Sequence, residues 1–211
     1  MNRPHVTGSR SGWGIGDVSE RALGVGGVVA LVVLSVVALA TAVTPKLVAI
    51  SWVAFAAMAV GAPLGARAAR TATPLETVWG YGLASGAMVT STALFLIPQA
   101  LGQHGWFGSL GIAAGFLAGY AGHAVGHRLT HHDLPIDRTA AELTAHALAA
   151  GAIIGAIYAA MPSLTSILGV ALVSHKAPAG YAAARRLADD GRAVVTLLLP
   201  AAAVGLVALP V

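Results

Sequence analysis

Seven runs of about 20 predominantly apolar residues, roughly 22–44, 47–66, 78–100, 105–127, 139–161, 163–184 and 193–211, take up nearly the whole chain. That is the length a helix needs to cross a ~30 Å hydrocarbon core. The runs therefore predict an all-α, polytopic bundle of seven transmembrane spans. Only 9% of the 211 residues are charged, against about 25% in an ordinary soluble domain, which is too little to clothe a surface in water. The lipid bilayer is thus the first partner expected. The absence of cysteine excludes a disulfide scaffold, thiolate metal sites and cysteine nucleophiles.

The first run is the purest, with Val28 to Ala40 nearly all Val, Leu and Ala. It is too long, and too far from the N-terminus, for a cleaved signal peptide. The later runs carry Gly, Ser, Thr and His, as expected of helices packed on one another. Pro45, Pro74, Pro135 and Pro162 sit at or near the connections, whereas Pro98, Pro178 and Pro200 fall within or near the ends of runs and predict kinks. Residues 1–21 read as a polar, flexible cytoplasmic tail, and 22–211 as one transmembrane domain.

Charge gives the orientation. With loops assigned alternately to two sides, one side collects Arg3, Arg10, Arg21, Arg67, Arg70, Arg128, Arg138, Arg185, Arg186 and Arg192, while the other holds Lys46 alone. Ten basic residues against one is a strong positive-inside bias, which predicts a cytoplasmic N-terminus and an outer C-terminus. The net charge of +4 is thereby explained by topology and gives no reason to expect nucleic acid.

Ionisable residues within spans are costly and mark functional candidates. The fifth run carries Glu142 and His146, the sixth Ser174, His175, Lys176 and Pro178. Two imidazoles on consecutive antiparallel helices can converge at one depth, and imidazole is the commonest side-chain ligand for a transition metal. The plainer alternative is that each His bonds a neighbouring helix. His123, His127 and His131 recur at i, i+4 and i+8, and with His132 they make a second candidate metal cluster at the cytoplasmic end of the fourth run. A wet, mildly basic helix end is the alternative there. In the third run Ser85, Met88, Ser91 and Thr92 form a small, polar face before Pro98 and Gln99.

These residues together resemble the ZIP family of divalent-metal transporters over roughly residues 47–200. Thr92-Ala-Leu-Phe-Leu-Ile-Pro98-Gln99-Ala-Leu101 is similar to the family's second helix, and Gly115-Phe-Leu-Ala-Gly119 before the His-rich stretch to its third helix and cytoplasmic loop. His146 with Gly151, and His175-Lys176-x-Pro178-x-Gly180, resemble the two motif helices. The resemblance implies a transporter in the cell membrane, not an enzyme. Its substrate would be a divalent cation, Zn2+ before iron or manganese, and no organic cofactor is expected. His146 and His175 would form the central site and His123, His127, His131 and His132 a relay. Lys176, Pro178, Glu142, Ser174, Ser91 and Gln99 would tune the site or line the path.

The chain departs from the family pattern at the positions four residues after each motif His, where carboxylates give way to Ala150 and Ala179. Ala147 replaces the motif Asn, and Lys176 adds positive charge. The family also continues for two helices beyond the seventh run, so a shortened member would complete itself as a homodimer or with a partner membrane subunit. The lost carboxylates and helices equally suit a non-transporting subunit or scaffold. A membrane di-iron oxygenase, suggested by the His123–His132 spacing, lacks its further histidine boxes. A retinal protein lacks a lysine in the last span.

Overall fold

The computed structural model describes residues 15–41, 45–69, 74–103, 105–129, 137–162, 165–192 and 194–210. Every regular element among them is helical: α1 (Ile15–Ala40), α2 (Pro45–Ala68), α3 (Pro74–Ser91), a π-helical turn (Thr92–Leu96), α4 (Ile97–Gln103), α5 (Gly105–Leu129), α6 (Arg138–Ala160), α7 (Thr165–Asp189), a 3-10 turn (Val194–Leu197) and α8 (Leu198–Ala208). The elements follow the seven apolar runs, because α3, the π turn and α4 form one continuous stretch and the 3-10 turn leads straight into α8. Four segments, Glu20–Ala40, Pro45–Ala68, Val78–Gly102 and Arg138–Ala160, are long and apolar enough to cross a membrane. That is the profile of a membrane protein.

The last run differs from its expected form. Its helical part, Val194–Ala208, is shorter than the about 20 residues of a full crossing, and it lies at the centre of the bundle. Pro200 to Gly205 are all buried, and α1, α2 and α6 surround the helix. A helix that is apolar on every side belongs in a core, and the Ala-rich sequence of α8 keeps it thin enough to be enclosed. Gly151 of α6 faces the Val204 carbonyl so closely that a Cβ there would overlap it.

Each outer helix offers α8 one narrow stripe. On α1 the buried positions are Glu20, Gly24, Gly27, Leu31, Ser35 and Ala38, spaced three or four apart, as one helical face requires. Val29, Val33, Val36 and Val37 on the opposite side are half-exposed or more, an apolar face suited to lipid. Between α1 and α2, the Trp52 indole donates to Ser35 Oγ at 3.0 Å, and Ser35 Oγ donates to the Leu31 carbonyl at 2.7 Å. Trp52→Phe is expected to cost about 0.6 kcal/mol, and at most about 1.7, the range measured for hydrogen bonds between membrane helices. Thermal unfolding of the detergent-solubilised protein checks this.

The tightest pairing joins α2 and α7. Gly61 and Gly65 of α2 lie against the carbonyls of Ala177 and Tyr181, and Gly180 of α7 lies where a Cβ would come within 2.6 Å of the Met58 carbonyl. Small residues on both sides bring the two backbones together. This contact fixes α7, which carries His175.

The two ends of the bundle have different chemistry. At one end the Asp137 carboxylate caps α6, accepting from the backbone N–H groups of Thr139 and Ala140. The buried Glu20 carboxylate accepts from the Asp137 N–H at 3.1 Å, and Arg192 bridges Glu20 and Asp137 at 3.4 Å each. At the other end Lys46 Nζ donates to the Pro162 carbonyl at 3.3 Å. The start of α1, the start of α6 and the α7–α8 connection therefore meet at one end, and the α1–α2 and α6–α7 connections at the other. The alternation of basic loops requires this same pairing of ends.

α5 stands apart, with α4 as its principal neighbour. Its Trp106, Phe107, Phe116, Leu117 and Tyr120 are each more than 70% exposed. A cavity of about 820 Å³ opens between α5, the π turn with α4, and α6.

Candidate functional site

His146 projects from α6 and His175 from α7, and their Nε2 atoms lie 3.5 Å apart. The rings meet edge to face, with centroids 5.6 Å apart and planes inclined at 63°. His175 is 5% exposed, whereas His146 is open to the adjoining cavity. That cavity, about 150 Å³, is walled by Met88, Ser91, Thr92 and Leu96 from α3 and the π turn, with Ala150 and Ile154 on the α6 side. Its volume is about five times the ~30 Å³ share of a liquid water, enough for an ion with part of its hydration shell.

Hydrogen bonding orients the buried ring. His175 Nδ1 lies 3.3 Å from the Ala171 carbonyl. A carbonyl only accepts, so Nδ1 carries the proton and Nε2 keeps its lone pair toward His146, the arrangement that fixes imidazole ligands in metal sites. Ser174 Oγ donates to the same carbonyl at 2.7 Å, and Ser91 Oγ reaches it from α3 at 3.3 Å. Ser91 Oγ also bonds the Ala87 carbonyl within its own helix. Ala171 thus ties α3 to α7 beside the histidine pair.

The π turn shapes the opposite wall. Ile97 N–H donates to the Thr92 carbonyl, five residues back, and Pro98 follows immediately. Proline has no N–H and its ring would strike the carbonyl four residues earlier in an α-helix, so a wider turn accommodates it. Such turns are frequent at functional sites. Pro178 acts similarly in α7, removing the N–H that would pair with the Ser174 carbonyl.

The expected site residues separate into groups. His146, His175 and Ser91 come together at the cavity. Ser174 shares the Ala171 carbonyl, but its side chain is exposed outside that cavity. Lys176, although next to His175, is 1% exposed and is the largest fully buried side chain. It is not part of the cavity wall, and none of the ion pairs among the described residues includes it. Glu142 is exposed and pairs with Arg138 Nε at 2.7 Å, one turn back from His146 and away from the ring pair. Gln99 lines the larger cavity, and Pro178 lies within α7. His123 and His127 fall on the last turns of α5, but their side chains lie outside those described. His131 and His132 lie outside the described residues altogether.

Thr92 and Met88 read in the sequence only as parts of a small face, yet both wall the cavity. The π turn is not legible as such in the sequence, where its one signal is Pro98 inside an otherwise unbroken apolar run. Among the described residues no group of three or more His, Cys, Asp or Glu side chains converges. Among those residues, the histidine pair therefore has no anionic ligand beside it. Comparison of the chain with protein families, with characterised proteins and with solved structures finds no match.

Proposed function

We propose that the chain is a multi-pass cell-membrane transporter of divalent transition-metal cations, of the zinc, iron and manganese class, with its substrate bound between α6 and α7. The observation that carries the reading is the 3.5 Å separation of the two Nε2 atoms. Two nitrogens each 2.0–2.1 Å from a tetrahedral metal lie about 3.3–3.4 Å apart. The pair therefore needs little rearrangement to share one ion. The adjoining cavity supplies room for water or for a third ligand, and the ZIP-like order of motifs along the chain supports the same reading. The test is uptake of zinc into sealed proteoliposomes containing an internal zinc dye. Uptake well above that of protein-free liposomes is expected, and equal rates would contradict transport.

The reading includes a cytoplasmic N-terminus and loops that alternate between the two sides as far as the short, enclosed α8. The absence of cysteine makes the topology directly measurable, because any introduced thiol is the only one present. Cysteine placed at Lys46 and at Arg186 is expected to react with an impermeant maleimide from opposite sides, position 46 from outside. Labelling of both from one side would contradict the alternation.

A second reading is favoured by the aromatic face of α5. Trp106, Phe107, Phe116 and Tyr120 are exposed, and Ala150 and Ala179 stand where the resemblance expects carboxylates. A non-transporting subunit bound to another membrane protein through α5 accounts for both. Stoichiometric co-purification of a second chain, with no zinc flux in the complex, would favour it over transport.

A further inference from the structure

We infer that the cavity beside His146 and His175 is a three-donor site, completed by the Met88 thioether, that holds a soft monovalent cation such as Cu(I) more tightly than Zn2+. The inference rests on the proposed site but goes beyond it, in naming a third ligand and the charge of the preferred ion.

Three observations carry it. First, Met88 walls the same cavity as both imidazoles. A thioether is a soft donor that selects Cu(I) and contributes little to Zn2+, which takes Cys, His or carboxylate. Second, the donor set carries no charge. No carboxylate joins the histidines among the described residues, and the positions four residues after them are Ala150 and Ala179. Without an anion the ion's own charge is uncompensated, and the Born cost of desolvating it rises with the square of that charge. A dication thus faces about four times the cost of a monocation of like size. Third, Lys176 is the next residue after His175 and is buried. Any positive charge on its amine repels a dication twice as strongly as a monocation at the same distance. Donor softness, site charge and the neighbouring cation all favour the same kind of ion.

The alternative role of Met88 is packing. It lies against a small core cluster formed by Met58, Ala84, Ala179 and Ala201. Met88→Leu conserves volume and keeps that packing, so it removes the sulfur alone.

The test is equilibrium binding to the full chain in nanodiscs under reducing conditions. Cu(I) is presented in competition with bicinchoninate, Ag(I) serves as a redox-inert surrogate, and Zn2+ is measured against a zinc dye. One Cu(I) per chain is expected, bound at least about tenfold more tightly than Zn2+, a difference of about 1.4 kcal/mol. Met88→Leu is expected to weaken Cu(I) and Ag(I) about tenfold or more, and to weaken Zn2+, which takes little from a thioether, by much less. Met88→Cys, which keeps a sulfur donor, restores Cu(I) binding. Zn2+ binding as tight as Cu(I), or Cu(I) affinity unaltered in Met88→Leu, overturns the inference and leaves transport through the histidine pair standing. If no ion binds, and His146→Ala with His175→Ala changes nothing, the inference and the site both fail.

Discussion

Zinc uptake by a His146→Ala, His175→Ala double variant is expected to fall to the protein-free background, a loss of at least about 100-fold. Removing a hydrogen-bond partner of a metal ligand already costs 10–100-fold in affinity or activity, and here both nitrogen ligands go. Each single variant leaves one imidazole, and that one nitrogen has no carboxylate to assist it, so each single substitution should come close to the double. The fold should survive, because His146 opens onto the cavity and His175 engages His146 and the Ala171 carbonyl without belonging to the apolar core clusters. Uptake is read alongside thermal unfolding. Full uptake by a stable double variant would remove the histidine pair from the transport path.

The second large effect is structural. Gly61→Val or Gly65→Val places a branched side chain where the Ala177 or Tyr181 carbonyl already lies. Backbone atoms cannot rotate aside as a side chain can, so α7 must move off α2. Overpacking of this kind costs about 1–3 kcal/mol and occasionally more, and the upper end is expected because the obstacle at either position is the main chain of α7. Since α7 carries His175, the displacement also separates the two rings. The variants should accumulate poorly, or unfold at lower temperature and lose uptake. Gly111→Ala is the control. Nothing lies within 4 Å of its Cβ position, and alanine is about 0.8–1.0 kcal/mol better than glycine inside a helix. It should be neutral or slightly stabilising. Equal stability of Gly61→Val and the native chain would contradict the close approach.

Much of the architecture is legible in the sequence because bilayer-length apolar runs admit few folds. The runs 47–66 and 139–161 appear as α2 (Pro45–Ala68) and α6 (Arg138–Ala160). The charge pattern groups the connections as the Lys46–Pro162 and Glu20–Asp137–Arg192 contacts group them. Composition cannot tell which apolar helix is inside. The Val28–Ala40 part of α1 and the whole of α8 are both nearly all apolar, yet α1 exposes its valines and α8 is enclosed. The difference is side-chain bulk, since an alanine- and glycine-rich helix is slim enough for three neighbours to close around it.

At the site, spacing indicated that His146 and His175 share a depth, but not which neighbours complete the cavity. The α3 wall depends on the π turn, whose cause, Pro98, reads in sequence only as a kink. Lys176 reads as a site residue by adjacency, but successive residues on a helix point about 100° apart, and burial takes its side chain off the cavity wall. Glu142 shares a helix face with His146, but the Arg138 guanidinium on its other side takes the carboxylate instead.

X-ray absorption at the zinc edge of the purified, zinc-loaded chain tests the central claim most directly. Two imidazole nitrogens at 2.0–2.1 Å, with their outer-ring scattering lost in the His146→Ala, His175→Ala variant, are the predicted result. A spectrum with oxygen ligands alone, or one that the double substitution leaves unchanged, would contradict it.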